Sequence, residues 1–413
     1  MQPSIEIMAP AGSFASMRAA LNAGCDSVYF GVAQLNMRAR SANNFVLDDL
    51  EKISEICKKK NVKTYLTVNT ILYNHDINLM KKICDEAKKH HITAIIASDV
   101  AAIQYANSIG LTVHISTQAN VTNIETVKFY SQYADVMVLA RELTLDQIKD
   151  IISQVKKEKI LGPKGELVRI EVFAHGALCV AISGKCYMSL ATNHASANRG
   201  ACVQNCRRSY RVVDDETGEE LKIDNKYIMS PKDLCTIPFL DQLLDVGVSV
   251  LKIEGRGRSP EYVSTVVRVY KEGVEAYLNK TFTKEKTKEW VKQLETVYNR
   301  GFWHGGYYMG KQLGEWSGVY GSQATQQKVS LGKVKHYYKK AKIAEVIVET
   351  GTVEENEPIL VIGPTTGVVE TNVLSIYKDE VPVKKAEKGD LVTVPIPEIV
   401  RENDQVFKVI KKE

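Results

Sequence analysis

Over roughly its first 280 residues, the chain alternates between short apolar runs and longer segments whose apolar positions recur every three or four residues. Short apolar runs are typical of buried strands, and the longer spacing is typical of helices with one buried face. The alternation predicts eight strands, at residues 5–9, 27–31, 62–69, 94–98, 111–117, 135–140, 168–174 and 250–254. Helices are predicted after most of them, the last over Pro260–Leu278. This repeated unit predicts an α/β fold, a (β/α)₈ TIM-type barrel over residues 1–280.

The pattern changes beyond the barrel. Residues 281–327 predict a connector with one helix over 283–299, followed by a segment rich in glycine and aromatics. Short strands separated by glycine turns then predict a small β-barrel over residues 328–413, whose pattern resembles domain 2 of translation factors. Lysines surround His336, Tyr337 and Tyr338 at its start. Basic residues mixed with aromatics favour a nucleic-acid surface, and a solvated edge strand is the alternative.

A cysteine-rich insertion, residues 175–236, follows the seventh strand. Of the eight cysteines in the chain, five lie here: Cys179, Cys186, Cys202, Cys206 and Cys235. Their spacing contains no Cys-x-x-Cys pair and matches neither a zinc ribbon nor a ferredoxin. Thiolates gathered by loops at a strand end can hold a soft metal centre, whereas buried packing cysteines are the alternative. Glycine, serine, lysine and arginine separate these cysteines, so we favour the metal centre.

Polar side chains recur at every second position on the fifth and the eighth predicted strands. The two stretches are His114-x-Ser116-x-Gln118-x-Asn120 and Lys252-x-Glu254-x-Arg256. This spacing directs side chains to one side of a strand, and chemistry in such barrels lies at the carboxyl ends of the strands. The alternative is ordinary polar loop residues, with Arg256 simply paired to a neighbouring glutamate. The candidate catalytic residues are His114, Gln118, Glu171, His175, Glu254 and Arg256.

Composition narrows the setting of the protein. The net charge of +5 over 413 residues is mildly basic, which permits an anionic partner without requiring one. No signal peptide is evident, and no apolar run approaches the roughly 20 residues that a membrane-spanning helix needs. Eight cysteines without a secretory signal favour reduced thiols and a cytoplasmic location.

Five motifs lie along the chain. They are Ala9-Pro10-Ala11-Gly12, Glu171-x-Phe173-x-x-Gly176-Ala177-Leu178-Cys179-x-x-x-Ser183-Gly184-x-Cys186-x-Met188-Ser189, Arg199-Gly200-x-Cys202-x-Gln204-x-Cys206-Arg207, Ser230-Pro231-Lys232-Asp233-Leu234-Cys235 and Lys252-Ile253-Glu254-Gly255-Arg256. Together these motifs resemble the signatures of a known family, the collagenase-like peptidase family numbered thirty-two of the unassigned class. The resemblance spans nearly the whole chain and is strongest to the branch of tRNA 5-hydroxyuridine modification proteins.

The resemblance implies hydroxylation of the tRNA wobble uridine to 5-hydroxyuridine without O₂. It also implies a 4Fe-4S cluster, prephenate as co-substrate and the anticodon region of tRNA as partner. The predicted cluster ligands are Cys179, Cys186, Cys202 and Cys235, and Cys206 is an alternative to one of them. Other activities stay open at this point. They are a peptidase with a cysteine nucleophile such as Cys179 near His175, hydroxylation of 23S rRNA, and a non-catalytic RNA-binding subunit.

Overall fold

Seven parallel strands begin a barrel in this computed structural model, which describes residues 5–40, 42–221, 229–311 and 315–412. Each strand pairs with the next in the chain. Nearly all of their residues are buried, because helices cover the outside and side chains fill the lumen. The strands are β1 (Glu6–Pro10), β2 (Ser27–Phe30), β3 (Lys63–Val68), β4 (Ala94–Ala97), β5 (Val113–Ile115), β6 (Val136–Val138) and β7 (Arg169–Gly176).

Six helices, one after each of the first six strands, cover the outside of the barrel. In α3 the buried residues Met80, Ile83, Cys84 and Ala87 form the single apolar face that the spacing predicts. Ser13, the N-cap of α1, accepts a hydrogen bond from the backbone N–H of Ser16. The helices are α1 (Phe14–Asn22), α2 (Asp49–Lys58), α3 (Ile77–Lys89), α4 (Val100–Ser108), α5 (Ile124–Ser131) and α6 (Leu145–Lys157).

After β7 the chain leaves the barrel for the cysteine-rich insertion and then returns to close it. The insertion contains α7 (Met188–Asn193), β8 (Val212–Val213), β9 (Glu220–Leu221) and β10 (Asp233–Cys235), and α8 (Leu240–Asp245) follows. Strand β11 (Val250–Ile253) then pairs in parallel with both β7 and β1. The predicted TIM-type barrel of eight parallel strands, with an insertion after the seventh, is confirmed.

The connector packs onto the barrel. Helices α9 (Pro260–Leu278) and α10 (Lys284–Glu295) lead to β12 (Phe302–His304), which pairs in parallel with β10. Trp303 on β12 is completely buried. The segment predicted as a connector therefore extends the sheet of the insertion. No helix in the described ranges is both long enough and apolar enough to cross a membrane.

The C-terminal region is antiparallel and has its own core. Eight of its strands form one sheet, and β15 and β20 form a second. In the order of the larger sheet the outermost strands are β17 and β19, so the region predicted as a small β-barrel is built of antiparallel strands. The strands are β13 (Gln326–Tyr338), β14 (Ile343–Val348), β15 (Thr352–Glu354), β16 (Pro358–Gly363), β17 (Gly367–Asn372), β18 (Ile376–Lys378), β19 (Val381–Val383), β20 (Lys385–Glu387), β21 (Leu391–Pro395) and β22 (Gln405–Lys411).

This region docks on the flank of the barrel through α1 and β17. Gly367 has a φ of 81°, and a Cβ there would lie 2.9 Å from the backbone nitrogen of Ala19, so the close approach requires glycine. Asn22 donates to the carbonyl of Thr366 over 3.1 Å. Lys328, near the start of β13, pairs with Glu261 of α9 over 2.8 Å.

Candidate active site

A cavity of about 230 Å³ lies at the carboxyl ends of the barrel strands, where the insertion closes over them. Strand residues such as Thr67 and Phe173 contribute to its wall together with residues of the insertion. This is the end of the barrel at which the fold places its chemistry. The cavity is therefore the candidate active site.

Four cysteines of the insertion face this cavity, and they are not the predicted four. The lining includes Cys179, Cys186, Cys202 and Cys206. Burial raises the pKa of the Cys206 thiol, and Arg207 opposes that rise. The three other thiols are close enough to raise the pKa of Cys206 further. The structure thus brings together Cys179, Cys186, Cys202 and Cys206, which we call the cysteine quartet. Cys206, the alternative ligand, takes the place of Cys235 in this set.

Cys235, which the sequence predicts as a ligand, lies elsewhere. It is completely buried on β10, where it pairs with His175 across the antiparallel ladder. Burial raises its pKa to about 12, and the backbone N–H of Ile237 and the nearby Tyr270 hydroxyl oppose that rise. Since Tyr270 belongs to α9, Cys235 faces the helix layer and packs as an apolar residue.

Hydrogen bonds around Cys206 explain why it faces the cavity. Its neighbour Asn205 donates to the carbonyl of Met188 over 3.1 Å. The guanidinium of Arg207 donates to the carbonyl oxygens of Leu178 and Pro231, over 2.6 and 2.7 Å. These bonds join three separate stretches of the insertion, so spacing along the sequence did not reveal which cysteines meet.

Seven cationic side chains line the cavity, whereas Glu254 is the one carboxylate among the described lining residues. Three of the cations have carboxylate partners. Lys252 pairs with Glu171 over 2.7 Å, and Arg38 pairs with Glu254 over 2.6 Å. The third, at 3.3 Å, is the pair of Arg300 with Asp233.

The remaining four arginines have no ion pair with any carboxylate in the described ranges, and we call them the guanidinium cluster. They are Arg141, Arg207, Arg256 and Arg258.

Neutral contacts hold the guanidinium cluster in place. Arg256 donates to the side-chain oxygens of Asn36 and Thr67 over 3.0 and 2.9 Å. Burial lowers the pKa of Arg256 to about 10, so it is still charged at neutral pH. Arg141 lies 3.8 Å from the centre of the Phe173 ring. Arg256 is the buried member of the cluster, and a buried cation without an ion pair is costly, so the cluster indicates an anionic ligand.

Three of the six candidate catalytic residues face the cavity: Gln118, Glu254 and Arg256. Burial raises the pKa of Glu254, but Arg38 and Arg258 lower it more, to about 2. Glu254 is therefore ionised and accepts hydrogen bonds at neutral pH. Gly184, with a φ of 76°, approaches Gln118 so closely that a Cβ would lie 2.1 Å from the Gln118 amide oxygen.

His114 and Glu171 lie deeper in the barrel. The His114 ring packs against Tyr65, with ring centres 4.4 Å apart, and burial lowers its pKa to about 3. Glu171 is completely buried and reaches the cavity only through Lys252. His114 points into the lumen, as the alternation on its strand predicts, and so does Glu171, but neither lines the cavity.

His175 lies on the other side of its strand. Its ring packs among Tyr262, Tyr270 and Phe302, and burial lowers its pKa to about 3. Cys179 faces the cavity instead, and no histidine lines the cavity in the part of the chain that the structure describes. The nucleophile and base that the peptidase alternative requires are therefore not brought together.

Two further residues of the site had little signal in the sequence. Arg38 comes from the segment between β2 and α2, which has no periodic pattern, and it was not a candidate. Arg258 follows Arg256 at a spacing of two, so extending the alternation beyond β11 would have found it. It stacks on Tyr298, with its guanidinium carbon 3.6 Å from the ring centre.

A second basic region lies in the C-terminal sheet, and we call Lys335, Lys339, Lys340 and Lys342 the lysine hairpin. All four are exposed, Lys335 near the end of β13 and the other three in the β13–β14 turn. Tyr337, one of the aromatics of the predicted nucleic-acid surface, is 8% exposed and donates to the carbonyl of Ile396. Tyr338 stays exposed. Strand β13 runs from the Lys328–Glu261 contact on the barrel to the lysine hairpin. At about 3.3 Å per residue, this part of the strand is roughly 30 Å long.

Comparison with known proteins places the chain in a family. Residues 12–318 match Peptidase family U32. A Porphyromonas gingivalis protein named "Collagenase" is 55% identical over 408 residues, 99% of this chain and 98% of that protein. The "tRNA hydroxylation protein P1" of Bacillus subtilis is 32% identical, covering 71% of this chain and 69% of that protein.

The third relative modifies ribosomal RNA according to its name. It is a 23S rRNA 5-hydroxycytidine synthase of Escherichia coli, 33% identical over 275 residues, which are 66% of this chain and 40% of that protein. Relatives of this chain thus carry the names of two different activities. Because the family match spans most of the chain and the 55% identical relative extends over almost all of it, this protein belongs to peptidase family U32.

Proposed function

We propose that this protein hydroxylates RNA, converting the wobble uridine of tRNA to 5-hydroxyuridine without O₂. A 4Fe-4S cluster and prephenate are the proposed cofactor and co-substrate. The observation that carries the proposal is one cavity faced by both the cysteine quartet and the guanidinium cluster. The names of the tRNA and rRNA relatives support RNA as the target.

The cysteine quartet suits an iron–sulfur cluster, a centre that proteins hold through four cysteine thiolates. Four thiols set around a cavity suit a centre in which each ligand binds a separate iron. Cys179, Cys186, Cys202 and Cys206 would hold it. When bound, such a cluster supplies electron transfer or a site that polarises a substrate oxygen.

The guanidinium cluster suits the proposed co-substrate. Prephenate carries two carboxylates, and arginine binds a carboxylate through two parallel N–H donors. Arg141 and Arg256 lie on the strand side of the cavity, whereas Arg207 belongs to the insertion. Cations on both sides would orient a small dianion between them and displace water. Glu254, held ionised by Arg38, would accept a hydrogen bond from a substrate hydroxyl.

Aromatic side chains near the cavity provide surfaces for a base of the RNA. Tyr187, next to Cys186, is 79% exposed. The guanidinium of Arg199 lies 4.0 Å from the ring centre of Tyr73, which is also exposed. Exposed rings and arginine planes stack on unpaired bases, and the wobble base lies in a single-stranded loop. The lysine hairpin would contact phosphates farther along the tRNA.

The peptidase alternative rests on the name of the 55% identical relative. Its geometric requirement is a base beside the nucleophile, and the described cavity offers Glu254, which is paired with Arg38, and no histidine. RNA hydroxylation accounts for the quartet and the cations together, whereas peptide hydrolysis leaves the quartet without a role.

The test is complementation of a strain that lacks the gene. We expect digested tRNA from the deletion strain to lack 5-hydroxyuridine and nucleosides derived from it. Wild-type protein and Cys235→Ser should restore them, whereas Cys206→Ser should not. Anaerobically purified wild type and Cys235→Ser should contain about four irons, and Cys206→Ser markedly fewer, because the cluster takes four cysteine ligands.

Other outcomes would redirect the proposal. Unchanged tRNA with altered 23S rRNA would make ribosomal RNA the target. Gelatin hydrolysis by the iron-free protein, lost in Cys179→Ser, would favour the peptidase. Iron retained in Cys206→Ser and lost in Cys235→Ser would restore the ligand set predicted from the sequence.

A further inference from the structure

Lys252 lies at the bottom of the cavity and has unusual surroundings for an amine. It is on β11 and is almost completely buried, yet it lines the cavity. Its Nζ lies 4.7 Å from the centre of the Tyr29 ring and 5.6 Å from that of Phe173. Its single ionic contact in the described ranges is Glu171, at 2.7 Å. A lysine in this position is shielded from bulk water on most sides.

Among the seven cations of the cavity, Lys252 is the one that can become a nucleophile. The other six are guanidiniums, which do not lose their proton in proteins. Burial lowers the pKa of Lys252, Glu171 raises it, and Arg256 and Arg141 lower it again, with a net lowering. Desolvation and neighbouring cations are the features that activate amine nucleophiles in enzymes.

Glu171 is built to exchange a proton with this amine. One carboxylate oxygen accepts from Lys252, and the other, Oε2, is buried and has no hydrogen-bond partner in the described part of the chain. Burial raises the pKa of Glu171, although Lys252 opposes the rise. An ionised carboxylate with an unsatisfied buried oxygen is costly, which favours transfer of the ammonium proton to Glu171.

An anchor for a carboxylate lies beside the amine. The Arg256 guanidinium and the Lys252 amine both lie over the same Tyr29 ring, at 6.0 and 4.7 Å from its centre. A ligand carboxylate on Arg256 would thus bring an adjacent carbonyl carbon close to Lys252. That combination of groups, a ketone bonded directly to a carboxylate, defines an α-keto acid.

We propose that Lys252 forms an imine with the ketone of an α-keto acid bound in the cavity. This rests on the proposed function in one respect, because the pyruvyl group of prephenate belongs to that class. The ammonium of Lys252 first gives one proton to Glu171, and the neutral amine then adds to the carbonyl carbon. The carbonyl oxygen leaves as water, taking up two hydrogens that were bound to the amine nitrogen. Carbon and nitrogen are joined by a double bond, and no oxidant or reductant is required.

Reductive trapping tests this inference without RNA. The full-length protein, purified anaerobically, is incubated with pyruvate and sodium cyanoborohydride, which reduces an imine to a stable amine. Peptide mass spectrometry then reports the fraction of each lysine that carries the adduct. We expect Lys252 to be labelled at least tenfold more than the exposed Lys340, which serves as the internal control. Arg256→Gln should lower the labelling of Lys252, because it removes the carboxylate anchor.

The outcomes separate this inference from the proposed function. Labelling of Lys252 no greater than that of Lys340, in protein that retains its fold by circular dichroism, would overturn the imine. Wild-type tRNA hydroxylation by Lys252→Arg, which keeps the charge but cannot form an imine, would also overturn it and leave the proposed function standing. The third outcome combines selective labelling of Lys252 with a gene deletion that leaves the tRNA nucleosides unchanged. It would support the imine and contradict the proposed function.

Discussion

The guanidinium cluster and the lysine hairpin are both basic, but they differ in what surrounds the charge. Arg256 in the cavity is buried and rests on neutral oxygens, whereas Lys340 at the turn is exposed to water. Water stabilises an exposed ammonium, so the lysine hairpin needs no ligand to be stable. A buried guanidinium has lost that hydration, so an anion is needed to offset the loss.

The difference shows which basic regions indicate a ligand. Each region contributes four positive charges to the net charge, so the sequence alone does not distinguish them. The burial of Arg256 without an ion pair is what distinguishes the guanidinium cluster as a candidate site for a small anion. The lysine hairpin can serve a long, diffuse anion such as RNA, for which many weak contacts add up.

The largest effect is expected from a change in the cavity. Arg256→Gln should weaken prephenate binding at least about 30-fold, because loss of one partner of a buried charge pair costs about 2–5 kcal/mol. Arg256→Lys should bind prephenate with an affinity between those of the wild type and Arg256→Gln, because lysine keeps the charge but not the two parallel N–H donors. Anaerobic isothermal titration calorimetry measures both. Lys340→Gln is the matched control and should bind prephenate as the wild type does.

An intermediate effect is expected at the turn. Changing Lys339, Lys340 and Lys342 together to Gln should weaken tRNA binding and lower the slope of log K against log[salt]. Each lost phosphate contact removes about 0.7 to 0.9 from that slope. Filter binding at several salt concentrations measures it, and iron content should stay at the wild-type value. If the triple variant keeps the wild-type slope, tRNA does not contact the lysine hairpin.

The smallest effect concerns stability and uses the charges that are paired. Glu6, in the barrel, contacts Lys63, Tyr65 and Arg169 over 2.6 to 2.9 Å. Burial raises the pKa of Glu6, but these partners lower it more, to about 2. Since its folded pKa lies below the ordinary 4.5, the pairing stabilises the fold above pH 4.5. That stabilisation is lost as pH falls toward 2.

Glu6→Gln should therefore lower the free energy of unfolding at pH 7 by on the order of 1–3 kcal/mol. The difference from wild type should shrink on acidification, as urea titrations at pH 7, 4 and 3 would show. Glu402→Gln, which removes the exposed contact with His336, is the control and should change stability by less than about 1 kcal/mol. An equal loss at pH 7 and pH 3 would mean that Glu6 acts through packing.

The sequence by itself determined the parts of this protein that depend on local chemistry. Strand and helix periods follow from which side of each element is buried, so eight strands and the limits of α9 were predictable. Ser13 and Asp99 cap helices because their side chains bond nearby backbone N–H groups. The cysteine-rich insertion and the lumen-facing alternation of Glu254 and Arg256 were also visible in the sequence.

Only the tertiary structure decided which side chains meet. Cys206 rather than Cys235 faces the cavity because Arg207 and Asn205 bond to distant segments, and no spacing rule encodes such contacts. Tyr337 is buried because a bulge between Val334 and His336 shifts β13 by one residue and reverses the faces beyond it. The sequence also did not reveal which cations have carboxylate partners, because those partners come from distant segments. Charge is a property of the residue, whereas burial and counter-charge belong to the assembled fold.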